Sequence, residues 1–196
     1  MSLQKGKPEI TKRFVSKGIF PYQYAFTLLI PLRNIFLSPK QLINRLELTD
    51  RMNVLEVGPG PGYYSPAIAK ILTNGKLVLA DIQKEMLDLS KKRLEKKGIT
   101  NVEYYLCDGN SFQFEDETFD RIFLVSVLGE VENKENYLSE FYRILKYDGI
   151  LSISELPGDP DRLTIEEVKT LTGKHGFEFY KLYGSKRNYT INFKKK

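Results

Sequence analysis

A chain of 196 residues, 41% of them hydrophobic, is long enough to bury one substantial core, and we expect one domain. Its single cysteine excludes a disulfide within the chain, and one histidine leaves no Cys/His cluster for a metal; we therefore predict no metal site and a reduced, cytoplasmic setting. The formal charge of +5 excludes neither a small-molecule enzyme nor a nucleic-acid or membrane-surface partner.

The first 39 residues are crowded with aromatic and aliphatic side chains. Their longest uncharged run, residues 18–32, is interrupted by Pro21 and Pro31 and is too short to cross a bilayer. We predict no transmembrane segment, an N-terminal aromatic-rich arm or lid over residues 1–39, and a core over residues 40–196. Two interpretations of the arm stay open, because it can cover a ligand site or pack on an edge of the sheet.

Residues 54–66 predict a short apolar strand, a glycine loop and the start of a helix, with Ser65 as its N-cap and Pro66 in its first turn. Such a unit is where α/β proteins bind nucleotide-like ligands. The loop prolines remove amides that a diphosphate would need, and Tyr63 stands where a dinucleotide fingerprint has its third glycine. The loop therefore favours a ligand with an adenosine but no phosphate, although a purely structural turn stays possible.

Two acids follow the next two predicted strands. Asp81 ends an apolar run and can accept hydrogen bonds from both ribose hydroxyls, or can cap the helix that follows. Ile82 would offer an apolar face to an adenine. Asp108 follows the third strand and is either a ligand or a loop-turn residue, with Gly109 beside it.

The rest of the chain continues the alternation of short strands with helical stretches, the pattern of a parallel sheet covered on both faces. Helices are predicted over residues 66–72, 84–97, 134–145 and 164–171. Strands are predicted over residues 54–57, 76–82, 102–106, 121–127, 150–155, 177–184 and 189–193. We expect an α/β, Rossmann-like fold: a seven-stranded, mostly parallel sheet with a C-terminal antiparallel hairpin and helices on both faces.

The pattern Glu56-x-Gly58-x-Gly60-x-Gly62 resembles the first motif of the class I S-adenosylmethionine-dependent methyltransferases. Phe119-Asp120, residues 127–131 and 143–149, and Tyr189-Thr190-x-x-Phe193 are similar to the type 11 branch, which includes the ubiquinone/menaquinone-biosynthesis methyltransferases. The resemblance implies S-adenosylmethionine as cofactor and S-adenosylhomocysteine as product. The cofactor-binding residues that it implies are Glu56, Gly58, Gly60, Gly62, Asp81, Ile82, Asp108 and Gly109.

The resemblance also implies a small, apolar or aromatic acceptor methylated by in-line displacement. Glu130 and Glu155, near the ends of the fourth and fifth strands, are candidate bases. Tyr22, Tyr24 and Arg33 of the arm are candidate acceptor contacts. Relatives of this shape often have His where Gly129 stands here, which leaves the acceptor chemistry open.

The basic ends of the chain keep two alternatives in view. Residues 1–17 carry five Lys or Arg against one acid, and residues 169–196 carry eight against one. Such ends fit an RNA- or ribosome-directed methyltransferase, or peripheral contact with an anionic membrane, although basic tails are commonly just solvated. A protein that binds S-adenosylmethionine without catalysis is the third possibility.

Overall fold

The strands of the core form one seven-stranded sheet in the computed structural model, which describes residues 18–195 apart from the side chain of Leu32. The strands are β1 (Asn53–Val57), β2 (Lys76–Asp81), β3 (Val102–Leu106), β4 (Phe119–Val125), β5 (Leu145–Glu155), β6 (Phe177–Ser185) and β7 (Asn188–Lys195). Their order is β3-β2-β1-β4-β5-β7-β6, with β1 to β5 parallel and β7 antiparallel to both neighbours. The predicted fold class is confirmed. Residues 1–17 of the predicted arm lie outside the described residues.

The C-terminal hairpin enters the sheet through its second strand. In the structure β7 lies between β5 and β6, so β6 runs in the direction of β5 and forms the edge. Tyr189, Ile191 and Phe193 are buried on one face of β7, and Thr190 and Asn192 on the other. A strand buried on both faces belongs inside a sheet, whereas β6 exposes most of its side chains and suits an edge.

Helices cover both faces of the sheet, as predicted. They are α1 (Pro39–Leu46), α2 (Ser65–Ile71), α3 (Lys84–Glu95), α4 (Lys134–Ile144) and α5 (Ile165–Lys174). Helices α1 to α3 pack on the face that carries Val54, and α4 and α5 on the face that carries Leu55 and Val57. This division follows from the two-residue side-chain period along β1. Within residues 18–195, no helix is long and apolar enough to cross a bilayer.

Helix α1 is an element that the predictions above omit. The Ser38 hydroxyl accepts a hydrogen bond from the Gln41 N–H at 3.2 Å, and the Gln41 side chain accepts one from the Ser38 N–H at 2.8 Å. This capping box, with Pro39 at the first helical position, stands in the sequence as Ser-Pro-Lys-Gln. Helix α1 begins at Pro39, beside the predicted end of the arm, and the division of the chain at residue 39 stays a prediction.

Strand β5 begins five residues earlier than the predicted strand over residues 150–155, because it runs from Leu145. Asp148 has a φ of 62°, and the pairing with β4 shifts register between Phe119 and Arg121. A left-handed residue inside a strand marks a bulge, which lets the chain continue as a strand where a turn would interrupt it.

Candidate functional site

A cavity of about 870 Å³ opens where the carboxyl ends of the central parallel strands meet. The core contributes to its wall Gly58, Pro59, Gly60, Asp81, Ile82, Gln83, Cys107, Asp108, Gly109, Ser126, Val127, Glu130, Leu156, Asp159 and Asp161, among others. The arm contributes Gly18, Ile19, Phe20, Pro21, Thr27, Leu28, Ile30, Arg33 and Phe36. The volume lies within the range of small-molecule sites, roughly 300–1,000 Å³, so cofactor and acceptor can share it.

The glycine loop over residues 58–62 uses its amides inside the protein. The Gly58 N–H donates to the carbonyl of Ala80 on β2 at 2.8 Å, and the Gly62 N–H closes a turn within the loop at 3.0 Å. The Gly60 amide faces the carboxylate at the end of β2, and the two residues between the glycines are prolines. A diphosphate site needs several free amides aimed at the ligand. The geometry therefore supports the sequence argument against a dinucleotide.

The three loop glycines have different surroundings. A Cβ on Gly58 would lie 2.5 Å from a methyl carbon of Val127, so a side chain here would force Val127 to move, and the φ of 65° would strain it as well. Gly58 and Gly60 line the cavity, and the arm side chain of Leu28 lies 3.4 Å from where a Cβ of Gly60 would stand. Gly62 is not among the lining residues; it lies against Ser90 of α3.

Glu56 lies behind the glycine loop and is only 3% exposed. The Ser65 hydroxyl donates to its Oε2 at 2.7 Å. Burial raises the pKa of Glu56 to about 7, although the hydrogen bond from Ser65 lowers it. The charge of Asp81 raises it further. The prediction that Ser65 caps α2 is wrong, because Tyr64 is the N-cap without a side-chain bond and the hydroxyl serves the buried carboxylate. The cofactor role of Glu56 stays a prediction, and from this position Glu56 supports the loop from beneath.

Asp81 lies on the cavity wall and is 8% exposed. Its Oδ1 accepts a hydrogen bond from the Gln83 N–H at 2.9 Å. Burial raises the pKa of Asp81 to about 6, although the amides of Gln83, Gly60 and Ile82 oppose the shift. Ile82, which is 39% exposed, lines the same cavity.

Asp108 and Gly109 also line the cavity, on the side of β3. The Asp108 Oδ1 accepts hydrogen bonds from the Asn110 N–H at 2.7 Å and the Ser111 N–H at 2.8 Å. The amides of Ser111 and Asn110 hold the pKa of this carboxyl below its ordinary value. Asp108 is therefore a turn residue at the edge of the cavity, and its ligand role stays a prediction.

Four carboxylates line the cavity on the segments that follow β4 and β5. They are Glu130, Glu132, Asp159 and Asp161. Burial raises the pKa of Glu130 to about 7 against the Phe20 N–H, and the charges of Asp159, Asp161 and Asp81 add to the shift. The sequence reasoning missed Asp159 and Asp161, because the loop over residues 157–161 follows its strand as a plain Pro/Gly/Asp linker. Among the described residues, no group of three or more His, Cys, Asp or Glu is arranged to hold a metal ion.

Gly129 lies where the loop over residues 157–161 crosses the chain after β4. A Cβ on Gly129 would lie 2.0 Å from the backbone oxygen of Asp161. The space of a side chain at this position is filled by the loop itself. The loop can therefore bring Asp159 and Asp161 to the cavity wall only because residue 129 is glycine.

Glu155 is fully buried at the end of β5 and is not among the residues that line the cavity. Within residues 18–195 neither carboxylate oxygen meets a donor at hydrogen-bond geometry, although the Leu163 amide is near enough to oppose the shift of its pKa. Burial, with the charge of Asp159, raises this pKa to about 8. Its candidacy as a base stays a prediction, and its position points to a neutral, buried acid at pH 7.

We expect Glu155→Gln to remove part of the pH dependence of stability. The pKa of Glu155 is about 8 in the folded chain and 4.5 for a solvent-exposed carboxyl, as in the unfolded chain. Between these pH values the carboxyl is therefore protonated in the folded state and ionised in the unfolded state. Stability then falls as pH rises toward about 8, because burial of the charge is costly. Urea unfolding of the wild type and the variant from pH 5 to 9 measures this; parallel curves would contradict it.

The arm forms two 3₁₀ helices, Tyr22–Leu29 and Pro31–Ile35, across the cavity. Arg33 lines the cavity, and its guanidinium lies 5.7 Å from the Tyr63 ring centroid. Tyr22 and Tyr24 are not among the lining residues. Residues of the arm thus line the cavity, and the interpretation of the arm as a lid stays a prediction.

The comparisons with known proteins agree with this architecture. The sequence profile of a family described as a methyltransferase domain matches residues 48–186, so the chain belongs to this family. The fold and family define a class I methyltransferase whose cofactor is S-adenosylmethionine, as predicted.

The individual relatives are more distant. The chain is 36% identical over 104 residues to the ubiquinone/menaquinone biosynthesis C-methyltransferase UbiE of Hydrogenovibrio crunogenus. The matched residues make up 52% of this chain and 41% of the relative. It is 32% identical over 119 residues to the protein-L-isoaspartate O-methyltransferase of Methanococcus maripaludis, which is 58% of this chain and 56% of the relative. The chain thus spans about half the length of these curated relatives.

The solved structure of a SAM dependent methyltransferase from Aquifex aeolicus is similar in fold. It matches with a TM-score of 0.83 and 24% identity over 89% of this chain and 98% of that one.

Proposed function

We propose that this chain transfers a methyl group from S-adenosylmethionine to a small, apolar or aromatic acceptor held between the glycine loop and the arm. The observation that carries the proposal is the pairing of an amide-poor glycine loop with a cavity that the apolar arm covers. The cofactor supplies an electrophilic methyl group on a sulfonium sulfur.

The cofactor half of the proposed site runs from the glycine loop to Gly109. Gly58 and Gly60 form a wall without side chains, against which a flat nucleoside can lie. The Asp81 carboxylate would accept hydrogen bonds from the ribose hydroxyls, and Ile82 would pack on the adenine. Gly109 leaves room for the ring beside Asp108.

The acceptor half is proposed to contain the proton-accepting group. Glu130 lines the cavity with a pKa raised to about 7, where a carboxylate can both accept a proton and be ionised often enough to do so. Holding the acceptor in line beneath the arm supplies alignment, and covering the cavity keeps bulk water out. Arg33 is proposed to orient the acceptor at the arm side.

The distribution of basic residues favours a small acceptor over RNA. Three C-terminal lysines are paired with carboxylates, which lowers the positive charge that they present to a nucleic acid. These pairs are Lys174 with Glu135, Lys181 with Glu47, and Lys195 with Glu117. Peripheral contact of the basic ends with a membrane surface and a cytoplasmic setting stay predictions.

The test combines binding and transfer. We expect calorimetry to detect S-adenosylhomocysteine binding below high micromolar concentration; its absence would overturn the cofactor assignment. Labelled S-adenosylmethionine is then incubated with the protein and a cell extract that is separated into small molecules and RNA. Label in the small-molecule fraction supports the proposal, label in RNA alone supports the RNA alternative, and binding without transfer indicates a non-catalytic protein.

A further inference from the structure

The backbone of Phe20, in the arm, forms hydrogen bonds with two side chains that line the cavity. Its carbonyl accepts a hydrogen bond from the Gln83 side-chain Nε2 at 2.9 Å, at the end of β2. Its N–H donates to the Glu130 Oε2 at 3.2 Å, on the acceptor side. Because a carbonyl can only accept, the Gln83 atom that faces it must be the amide nitrogen.

A second contact fastens the same end of the arm. The Gly18 N–H donates to the Asp161 Oδ2 at 2.8 Å. The other end of the arm is attached elsewhere, since the Tyr63 hydroxyl donates to the Asn34 side chain at 2.9 Å and the Tyr64 hydroxyl donates to the Leu37 carbonyl at 3.1 Å. The arm therefore has a base that packs on the core and a tip, residues 18–20, that hydrogen bonds hold across the cavity.

We propose that Gln83 is a positioning residue that fastens the arm tip over bound cofactor and thereby limits cofactor release. The inference rests on the proposed function, since it places S-adenosylmethionine beneath the arm. The backbone N–H of Gln83 donates to Asp81, the proposed ribose ligand, so one residue joins the ribose site to the arm.

The position of the arm gives this bond its consequence. Leu28 lies against Gly60, and Phe20 and Pro21 line the cavity, so the arm borders the space beside the glycine loop where the cofactor is proposed to lie. Release then requires the tip to open. A ligand that touches the closed arm stabilises the closed state, and loss of one fastening bond makes opening more frequent.

The experiment compares Gln83→Met with Gln113→Met in the full chain. Gln113 is exposed and lies after β3, away from the arm. We expect Gln83→Met to release S-adenosylhomocysteine about three- to tenfold faster, the effect of one ordinary hydrogen bond, and Gln113→Met to match the wild type. Gln83→Glu keeps the length and polarity of the side chain but turns carboxylate oxygens toward the Phe20 carbonyl, and it must release the product as fast as Gln83→Met.

Hydrogen exchange separates the arm from the fold. In the protein without ligand, Gln83→Met should speed exchange of the Gly18 and Phe20 amides and leave that of the Gly58 amide, bonded to β2, unchanged. Equal release rates in the wild type and both Gln83 variants, or unchanged arm exchange, would overturn the role of Gln83 while the proposed function stands. If the wild type does not bind S-adenosylhomocysteine, and Gln83→Met still speeds exchange of the arm amides, the proposed function and the link between the arm and cofactor release are overturned. The contact between Gln83 and the arm then stands.

Discussion

Asp81→Asn is expected to weaken S-adenosylhomocysteine binding by about 10- to 100-fold, because hydrogen bonds to a charged carboxylate are worth about 1.5–3 kcal/mol against about 0.5–1.5 for neutral ones. The asparagine keeps the shape of the side chain and one carbonyl acceptor for the Gln83 N–H. The amides of Gly60 and Ile82 also face this carboxylate, so the expected loss combines ribose recognition with support of the glycine loop. Isothermal calorimetry at pH 8 measures it.

Asp88→Asn is the matched control for this substitution. Asp88 lies on the exposed face of α3, paired with Lys84 at 2.8 Å, and not among the cavity residues. The Asp88→Asn variant should bind S-adenosylhomocysteine as tightly as the wild type does. Equal affinities for both variants would remove Asp81 from the site.

The same carboxylate predicts a pH dependence of binding. Burial raises the pKa of Asp81 to about 6 in the free protein, so the charged acceptor is lost as pH falls through that value. Wild-type affinity should fall between pH 7 and pH 5, and the difference from Asp81→Asn should shrink over the same interval. A difference that stays constant from pH 8 to pH 5 would contradict the assignment.

The features that could be predicted from sequence are those in which local chemistry and global position agree. The placement of Asp81 and Asp108 at one edge of the sheet could be predicted, because the carboxyl ends of parallel strands meet at the same edge. The glycine loop was readable because prolines remove amides wherever they stand.

Features decided by tertiary contacts were missed. Ser65 reads as an N-cap, and only the structure shows the buried Glu56 that takes its hydroxyl. Glu56 itself stands within β1 on the face that α2 covers, so strand alternation places it behind the loop. Asp159 and Asp161 reach the cavity through the path of a loop, which no periodic pattern encodes.

Gly129→Ala is expected to destabilise the protein by about 1–3 kcal/mol, the usual cost of forcing extra atoms into a packed site. The added Cβ would lie 2.0 Å from the Asp161 oxygen, a backbone atom that cannot rotate away. The loop over residues 157–161 must then move, and the contact between Asp161 and the Gly18 N–H is strained with it. Methyl transfer to the acceptor should fall as well, because the displaced loop forms part of the cavity in which the acceptor is proposed to lie. Thermal unfolding and transfer assays measure the two effects.

Gly173→Ala is the control, because a Cβ on Gly173 meets no atom within 4 Å and the residue lies in the last turn of α5. It should leave the stability unchanged or raise it by up to about 1 kcal/mol, the helix-propensity difference between Gly and Ala in a helix interior. The same one-carbon change is thus expected to have different effects at two glycines, and the effect depends on what lies opposite each. If Gly129→Ala unfolds at or above the wild-type temperature, the loop does not occupy the space beside residue 129.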